Sequence, residues 1–494
     1  MPGRHVTIDP VTRLEGHGKI DIFLDEQGEV GDCFFQVPEL RGFEKFCEGR
    51  PVEEMPRITT RICGVCPEAH MMAAAKAADA VYGITLPTTA RLLRELQYQM
   101  FFVTDHTTHF YALAAPDFVM GPRSDPAQRN LIGIIRKLGL EIGGQVIQCR
   151  QWGHEAAEIF GGRPVRPINA IPGGMSKGLS ADERHRLDEI VRFMVDFAQA
   201  TLRLFRKVVL DSGEYRDLIL SDPYTHATYS MGLVDEQNHV NFYDGRVRVV
   251  DPEGKELVKY APADYAKHVA ERVEPWTYLK FPYLRAVGWK GFVDGKDSGV
   301  YRATPGARLN VSDGMSTPLA QEAYEEYFET LTGDRTGRKP VHHTLAIHWA
   351  RLVEMLHAAE RAQELVRNPE ITHPEHYRVL PTETPHEGVG IVEAPRGTLT
   401  HHYLTDEKGI LKKVNLIVGT TNNHAAICMS IKKAAQGVLH AGTPPDEGLL
   451  NMIEMAFRAY DPCYGCATHA LPGEMPLEVR IRDPRGALLR EVRR

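Results

Sequence analysis

The sequence predicts a mainly α-helical protein with small β-appendages, an α+β chain whose large helical bundle encloses a buried metal site. Three observations predict it. Apolar residues recur at helical spacing over several long stretches, while strand-like alternation is confined to short segments that turn back on themselves. Two Cys-x-x-Cys pairs, Cys63/Cys66 and Cys463/Cys466, each followed by a histidine, stand near opposite ends of the chain, so a fold that joined those ends would hold four thiolates together.

In chain order, residues 18 to 37 read as a hairpin. Lys19 to Leu24 alternates, Asp25-Glu26-Gln27-Gly28 turns, and Val30 to Val37 returns. From Thr89 to Leu113 the spacing of Leu92, Leu93, Leu96, Met100 and Val103 is helical, with Pro87 and Thr88 as start signals. Ser180-Ala181-Asp182-Glu183 is a capping box, and Leu187, Ile190, Val191, Met194, Phe197, Thr201 and Leu204 follow along one face of a long helix. Residues 212 to 310 are rich in Gly, Pro and Tyr and carry a second hairpin signal, Val240 to Tyr260, turning at Asp251-Pro252-Glu253-Gly254; this region is expected to decorate the bundle. Helical pattern returns over Thr317–Glu329, Thr344–Val366, Asn422–Ala435 and Glu447–Tyr460. Asp461-Pro462 stops the last of these and leaves the second cysteine pair on the loop beyond. No internal repeat or long linker appears, so 1–469 is expected to form one domain.

The 494 residues, 43% of them apolar, suffice for a large core. A formal charge of −7 and the absence of a Lys/Arg-rich run argue against nucleic acid or a membrane surface as partner. No stretch approaches the roughly 18 apolar residues of a transmembrane helix, and the first residues have no apolar signal core. A cytoplasmic location is expected. In that compartment close cysteine pairs point to metal or redox chemistry rather than disulfides. Cys33, Cys47, Cys149 and Cys428 sit among apolar residues and read as core fillers.

Four cysteines in two pairs suit a structural zinc site, a dithiol redox pair or a catalytic metal centre. Zinc knuckles usually have their halves close in sequence, and a redox pair needs no second pair. The motifs then add a resemblance. Arg61-Ile62-Cys63-Gly64-Val65-Cys66-Pro67-Glu68-Ala69-His70 and Asp461-Pro462-Cys463-Tyr464-Gly465-Cys466-Ala467-Thr468-His469 resemble the two signatures of nickel-iron hydrogenase large subunits. Arg13-Leu14-Glu15-Gly16-His17, Arg41-Gly42-Phe43-Glu44 and Glu393-Ala394-Pro395-Arg396-Gly397 appear in that family's order, and the likeness spans essentially the whole chain.

The resemblance implies a fold, an activity and a set of roles. The activity is reversible, heterolytic oxidation of dihydrogen at a nickel-iron centre whose iron carries carbonyl and cyanide ligands. Cys63 and Cys463 would be terminal ligands of nickel, with Cys66 and Cys466 bridging nickel to iron; soft, electron-rich thiolates suit a metal that changes oxidation state. His70 would donate to the bridging sulfur of Cys66. In the Pro395-Arg396 pair, the guanidinium of Arg396 would stand over the open metal position, anchored by Asp105 and Asp461, although relatives with Ser at the place of Asp105 exist. Thr420 would donate to a cyanide; Gly419 before it departs from the Pro or Ala usual there. Glu15 would relay the proton. Glu44, His469 and the carbonyl of Leu416 would hold magnesium or another divalent ion.

Residues 470–494, with six Arg and four acids, resemble a precursor extension that is cut off after His469 by a maturation protease once nickel-insertion proteins have acted. The chain has no cysteines left in cluster-like spacing, so no iron-sulfur cluster is expected here. Electrons would leave through an iron-sulfur small subunit, then through further electron-transfer subunits. Stretches such as Ala115-Pro116-Asp117-Phe118 and Val392 to His402 look most like the cytoplasmic, multisubunit branches that are coupled to ferredoxin or heterodisulfide reductase or that reduce NAD. The rival readings are a quinone-reductase subunit of the respiratory complex I type, against which all four cysteines and the cleavage motif speak, and a zinc protein.

Overall fold

The computed structural model describes residues 5–442, 444–468, 478–482 and 487–493. Its body is built of long helices: Thr88–Thr108, Leu140–Gly161, Ala181–Phe205, Ile347–Arg367 and Gly419–Val438. Ile347–Arg367 packs against both Thr88–Thr108 and Ala181–Phe205, burying nearly its whole surface. The capping box is present: Ser180 Oγ accepts from Glu183 N, and the Glu183 carboxylate accepts from Ser180 N. Thr88–Thr108 runs on through a wider, π-helical turn, His109–Ala114, at the far end of the predicted segment.

The N-terminal hairpin forms as expected from Lys19–Leu24 and Val30–Gln36, with Lys19 opposite Gln36. A third strand, His5–Ile8, pairs antiparallel with its outer edge. The hairpin also serves the site, because Phe35 stacks on Phe457 and meets Tyr464 edge-on at 5.1 Å, tying the sheet to the chain on both sides of Cys463.

The second hairpin forms from Arg246–Val250 and Glu256–Tyr260. It belongs to a larger unit than its pattern implied. Tyr229–Val234, buried at every position, joins it on one side and pairs in parallel with Tyr301–Arg302 on the other. Its core includes Ile391 and Ile417 from a further three-stranded sheet, Glu387–Ala394, Gly397–Thr405 and Leu411–Ile417.

That last sheet was not foreseen from the sequence, and it positions the site. Its first strand lies directly on the helix Pro67–Val81 that follows the first cysteine pair. Gly388 and Gly390 make the approach possible: a Cβ there would meet Ala77 O at 2.3 Å and Ala73 O at 2.2 Å. The helix answers with Ala73, Ala74, Ala77 and Ala78, all fully buried. Near the end of the chain, Glu447–Arg458 is capped by Asp446, whose Oδ1 accepts from Leu449 N. After it the chain turns sharply, with Asp461 at φ 56°, and presents Cys463.

Candidate metal centre

The two cysteine pairs meet at the centre of the molecule. Cys63 and Cys66 lie on the loop before Pro67–Val81, and Cys463 and Cys466 flank the start of the short helix Tyr464–Ala467. The four sulfur atoms all lie within 4.8 Å of one another, and all four residues are buried. Cys63 Sγ is 3.3 Å from Cys463 Sγ, Cys66 Sγ is 3.2 Å from Cys466 Sγ, and Cys463 Sγ is 2.8 Å from Cys466 Sγ. These gaps exceed the ~2.05 Å of a disulfide bond, so the sulfurs are separate donors converging on one small volume.

The N-terminal segment holds the second pair in place. Glu15 forms a parallel bridge with Cys463: Glu15 N donates to Pro462 O and Tyr464 N donates to Glu15 O. The Glu15 carboxylate accepts from Gly465 N at 2.9 Å and lies 2.9 Å from Cys463 Sγ. Burial raises its pKa above the ordinary value, and the neighbouring Cys63 adds to the shift. Two glycines make room: a Cβ on Gly465 would meet Glu15 Oε1 at 2.6 Å, and Gly16 holds φ +87°.

Arg396 stands beside this group, close enough that Cys66 and Cys463 contribute to its electrostatics. Its guanidinium donates to Asp105 at 3.1 Å and pairs with Asp461 at 2.9 Å, with all three side chains buried. Burial disfavours the charge, but the two carboxylates overrule it and hold the arginine firmly protonated. Pro395 and Arg396 form the two-residue turn between paired Ala394 and Gly397.

Thr420 and His70 adjoin this group. Thr420 Oγ1 accepts from Cys463 N at 3.0 Å, which leaves its hydroxyl proton to point elsewhere. His70 is buried one helical turn after Cys66, with Nδ1 3.2 Å from His401 Nε2, and His401 Nδ1 is 2.6 Å from the Tyr403 hydroxyl. Glu44 Oε1 accepts from the backbone N of Leu416 at 2.7 Å, so the two expected magnesium partners are neighbours. His469 lies outside the described residues.

Several buried neighbours of this group were not singled out as site residues in the sequence. Glu68, buried beside the first pair, has its pKa pushed up to about 7 by burial. His106, next to Asp105, is held neutral, its pKa lowered by burial to about 4. Behind Arg396, Arg308 forks onto Glu354 at 2.6 Å through both Nε and Nη2 and reaches Glu393 at 3.0 Å. Burial works against the Glu354 charge, yet Arg308 brings its pKa down to about 2, whereas burial lifts Glu393 to about 7. Arg351 is fully buried and donates to Ala459 O, close to Asp461. The four remaining cysteines are all buried free thiols, and burial pushes Cys47, Cys149 and Cys428 up to about 12 and Cys33 higher still.

The donor set fits a soft metal: four sulfurs, enclosed, with a cation held against them. Asp105 Oδ1 and Arg396 Nε, both buried, have no hydrogen-bond partner among the described residues.

Comparison with known proteins agrees with this geometry. The family model described as nickel-dependent hydrogenase matches residues 41–128 and 230–469, and one described as HoxL-like matches 5–40. The chain belongs to the nickel-dependent hydrogenase family. It is 46% identical over 490 residues to an F420-non-reducing hydrogenase iron-sulfur subunit of Archaeoglobus profundus, covering 99% of both chains. It is 38% identical over 504 residues to the NAD-reducing hydrogenase HoxS subunit beta of Cupriavidus necator, again covering 99% of both. Among solved structures, an NAD+-reducing [NiFe]-hydrogenase in the H2-reduced state superposes with a TM-score of 0.86 at 38% identity, over 95% of this chain and all of the other. As a hydrogenase of the nickel-iron type, the protein is an oxidoreductase acting on hydrogen, its metal-binding group is the four-cysteine cluster, and it is one subunit of a multisubunit enzyme. No helix among the described residues is long and apolar enough to cross a membrane.

Proposed function

We propose that the four cysteines would hold a nickel-iron centre whose iron carries carbonyl and cyanide, with Cys63 and Cys463 as ligands of nickel and Cys66 and Cys466 as ligands common to both metals. The observation that carries the reading is the convergence of four buried sulfurs within 4.8 Å beside an arginine clamped by two aspartates. When bound, such a centre would supply the heterolytic oxidation of dihydrogen, which releases two protons and two electrons for each molecule.

The chain's own groups position the reactants and carry the proton away. Glu15 accepts a proton from Cys463 Sγ across 2.9 Å and passes it outward, since a carboxyl can receive on one oxygen and donate from the other. Arg396, a permanent and planar donor, would orient and polarise the small substrate and hold a cyanide. Thr420, whose oxygen already accepts from Cys463 N, would donate its hydroxyl proton to the other cyanide. His70 donates to the Cys66 sulfur from the ring nitrogen not engaged with His401. Glu44 and the Leu416 carbonyl, with His469, hold a magnesium or similar ion; octahedral magnesium keeps several waters and needs few protein groups.

The electrons pass to an iron-sulfur small subunit, then on to ferredoxin, heterodisulfide reductase or NAD; relatives of both the F420-non-reducing and the NAD-reducing kind support a cytoplasmic acceptor. The clusters would reside outside this chain, whose four remaining cysteines, Cys33, Cys47, Cys149 and Cys428, are not in cluster-like spacing. Residues 470–494 form the removable extension, with nickel-insertion proteins and a protease as maturation partners; Glu478–Arg482 and Leu488–Arg493 pair as an antiparallel hairpin.

Cys466→Ser tests the ligand set. An alkoxide or hydroxyl is too hard to bridge the two metals as thiolate does, so elemental analysis is expected to show loss of nickel and the uptake assay no hydrogen oxidation. Stoichiometric nickel with normal activity in that variant would remove Cys466 from the site.

A further inference from the structure

The turn that carries Arg396 is built against its own local preference. Two-residue hairpin turns match the twist of their strands when the first central residue has positive φ. Pro395 occupies that place, its ring fixes φ near −65°, and neither Pro395 nor Arg396 has a positive φ. A turn of this kind splays its strands, so its shape must be imposed from outside.

Arg308 is placed to impose it. From the short helix Pro305–Asn310, Nη1 donates to Ala394 O at 3.0 Å and Nη2 to Pro395 O at 3.2 Å. Asn423 Nδ2 takes the next carbonyl, Arg396 O, at 2.7 Å, and Asn423 Oδ1 accepts from Ala303 N. Three successive carbonyls of the turn are therefore held. Arg308 is itself fixed by the Glu354 fork and by Glu393, whose other oxygen accepts from Leu233 N and Thr398 Oγ1. Every part of this assembly is fully or almost fully buried.

We infer that Arg308 is a positioning residue for the hydrogenase reaction: by gripping the Ala394 and Pro395 carbonyls, it sets where the Arg396 guanidinium stands over the cysteine group. The inference rests on the role given to Arg396 above. Asp105 and Asp461 hold the head of Arg396, and Arg308 with Asn423 holds its root; a flexible side chain fixed at one end only would sweep an arc of several rotamers. The use of a buried charged residue for this is expensive in desolvation, which a purely structural hairpin would not require.

Arg308→Lys keeps the charge between Glu354 and Glu393 but cannot fork onto a carboxylate and two carbonyls at once. The expected result is a folded enzyme with wild-type nickel content, hydrogen turnover lowered at least tenfold, and nickel paramagnetic resonance g values moved in the same direction as in Arg396→Lys. In an Arg396→Lys background the Arg308 change should cost less than threefold more. Glu354→Gln, which loosens the fork without removing Arg308, should act likewise and more weakly, and serves where Arg308→Lys does not load nickel. Wild-type turnover in either nickel-loaded variant overturns the inference, as do losses that multiply in the Arg396→Lys background, because a merely structural defect is independent of Arg396. Arg396→Lys alone distinguishes the two readings: full activity there refutes the role of Arg396, whereas loss there with none in Arg308→Lys refutes only the positioning.

Discussion

Replacing Asp117, which is not a metal ligand, by Asn should destabilise the hydrogenase and loosen the docking of its N-terminal segment. The Asp117 carboxylate is 2% exposed and accepts from Arg13 Nη2, from Arg458 Nη1 at 2.6 Å and from Asn451 Nδ2 at 3.0 Å. Glu454 balances the second positive charge: it pairs with Arg458 and accepts from Thr12 N and Oγ1. Two arginines and two acids thus make a neutral buried cluster, and the Asn variant leaves one cation uncompensated. Breaking a buried pair in this way costs about 3–5 kcal/mol. With an unfolding entropy of ~2.1 cal/mol/K for each of 494 residues, about 1 kcal/mol/K in total, the melting temperature should fall by roughly 3–5 °C. Burial would raise the pKa of Asp117, but Arg458 and Arg13 outweigh it and hold it below the ordinary value. A depressed carboxylate contributes stability above its unfolded pKa and loses it as pH falls through the folded one. The gap between wild type and variant should therefore be full at neutral pH and shrink below about pH 4. Scanning fluorimetry across pH measures it, with Glu253→Gln at the exposed Lys296 pair as a control expected to leave the melting temperature unmoved. A variant that melts with wild type at neutral pH would refute the reasoning, since the uncompensated charge would then be solvated or neutralised by some other group.

Two further outcomes are expected. Glu15→Gln preserves shape but cannot pass a proton, so hydrogen turnover and deuterium exchange should drop steeply while nickel content stays at wild-type level; unchanged exchange would send the proton by another route. For the tail, intact mass of protein from nickel-replete cells should show a chain ending at His469 and from nickel-starved cells one that retains residues 470–494; retention of those residues with full activity would make the extension permanent.

How much of this fold is legible in the sequence depends on where each element's signal resides. Ala181–Phe205 has one buried face and a capped start, and Glu447–Arg458, though mostly buried, has a capped start and apolar residues at helical spacing; both were legible to within a few residues. Pro67–Val81 is buried nearly all round and alanine-rich, so no stripe marks it, and the strand packed upon it is broken in pattern by the very glycines, Gly388 and Gly390, that let the two backbones touch. Tertiary packing chose those residues over strand propensity. The site divides in the same way. The cysteine pairs announce themselves by spacing, and Glu15, Asp105 and Arg396 were reached through the family motifs. Arg308, Glu354, Arg351 and His106 were not, because a charged residue in a helix reads as a solvated face until its partner, here 46 positions away for Arg308 and Glu354, is seen beside it.

These unannounced residues explain why the centre needs so long a chain. The four ligands occupy two short loops, but the loops are held by groups drawn from everywhere else: Glu15 and Arg13 from the N-terminal segment, Asp105 and Asp117 from one central helix and the turns that extend it, Glu354 from another, Arg396 from a sheet. Asp105, Asp117, Glu354 and Arg396 are buried, and each is paired there with an opposite charge from another segment; Arg13, partly buried, is paired with Asp117 in the same way, while Glu15 is held by the thiol of Cys463 and the backbone of Gly465. The cluster can therefore form only when the entire body has assembled, and loss of one partner, as in Asp117→Asn or Arg308→Lys, should be felt at the metal even though neither side chain is a ligand.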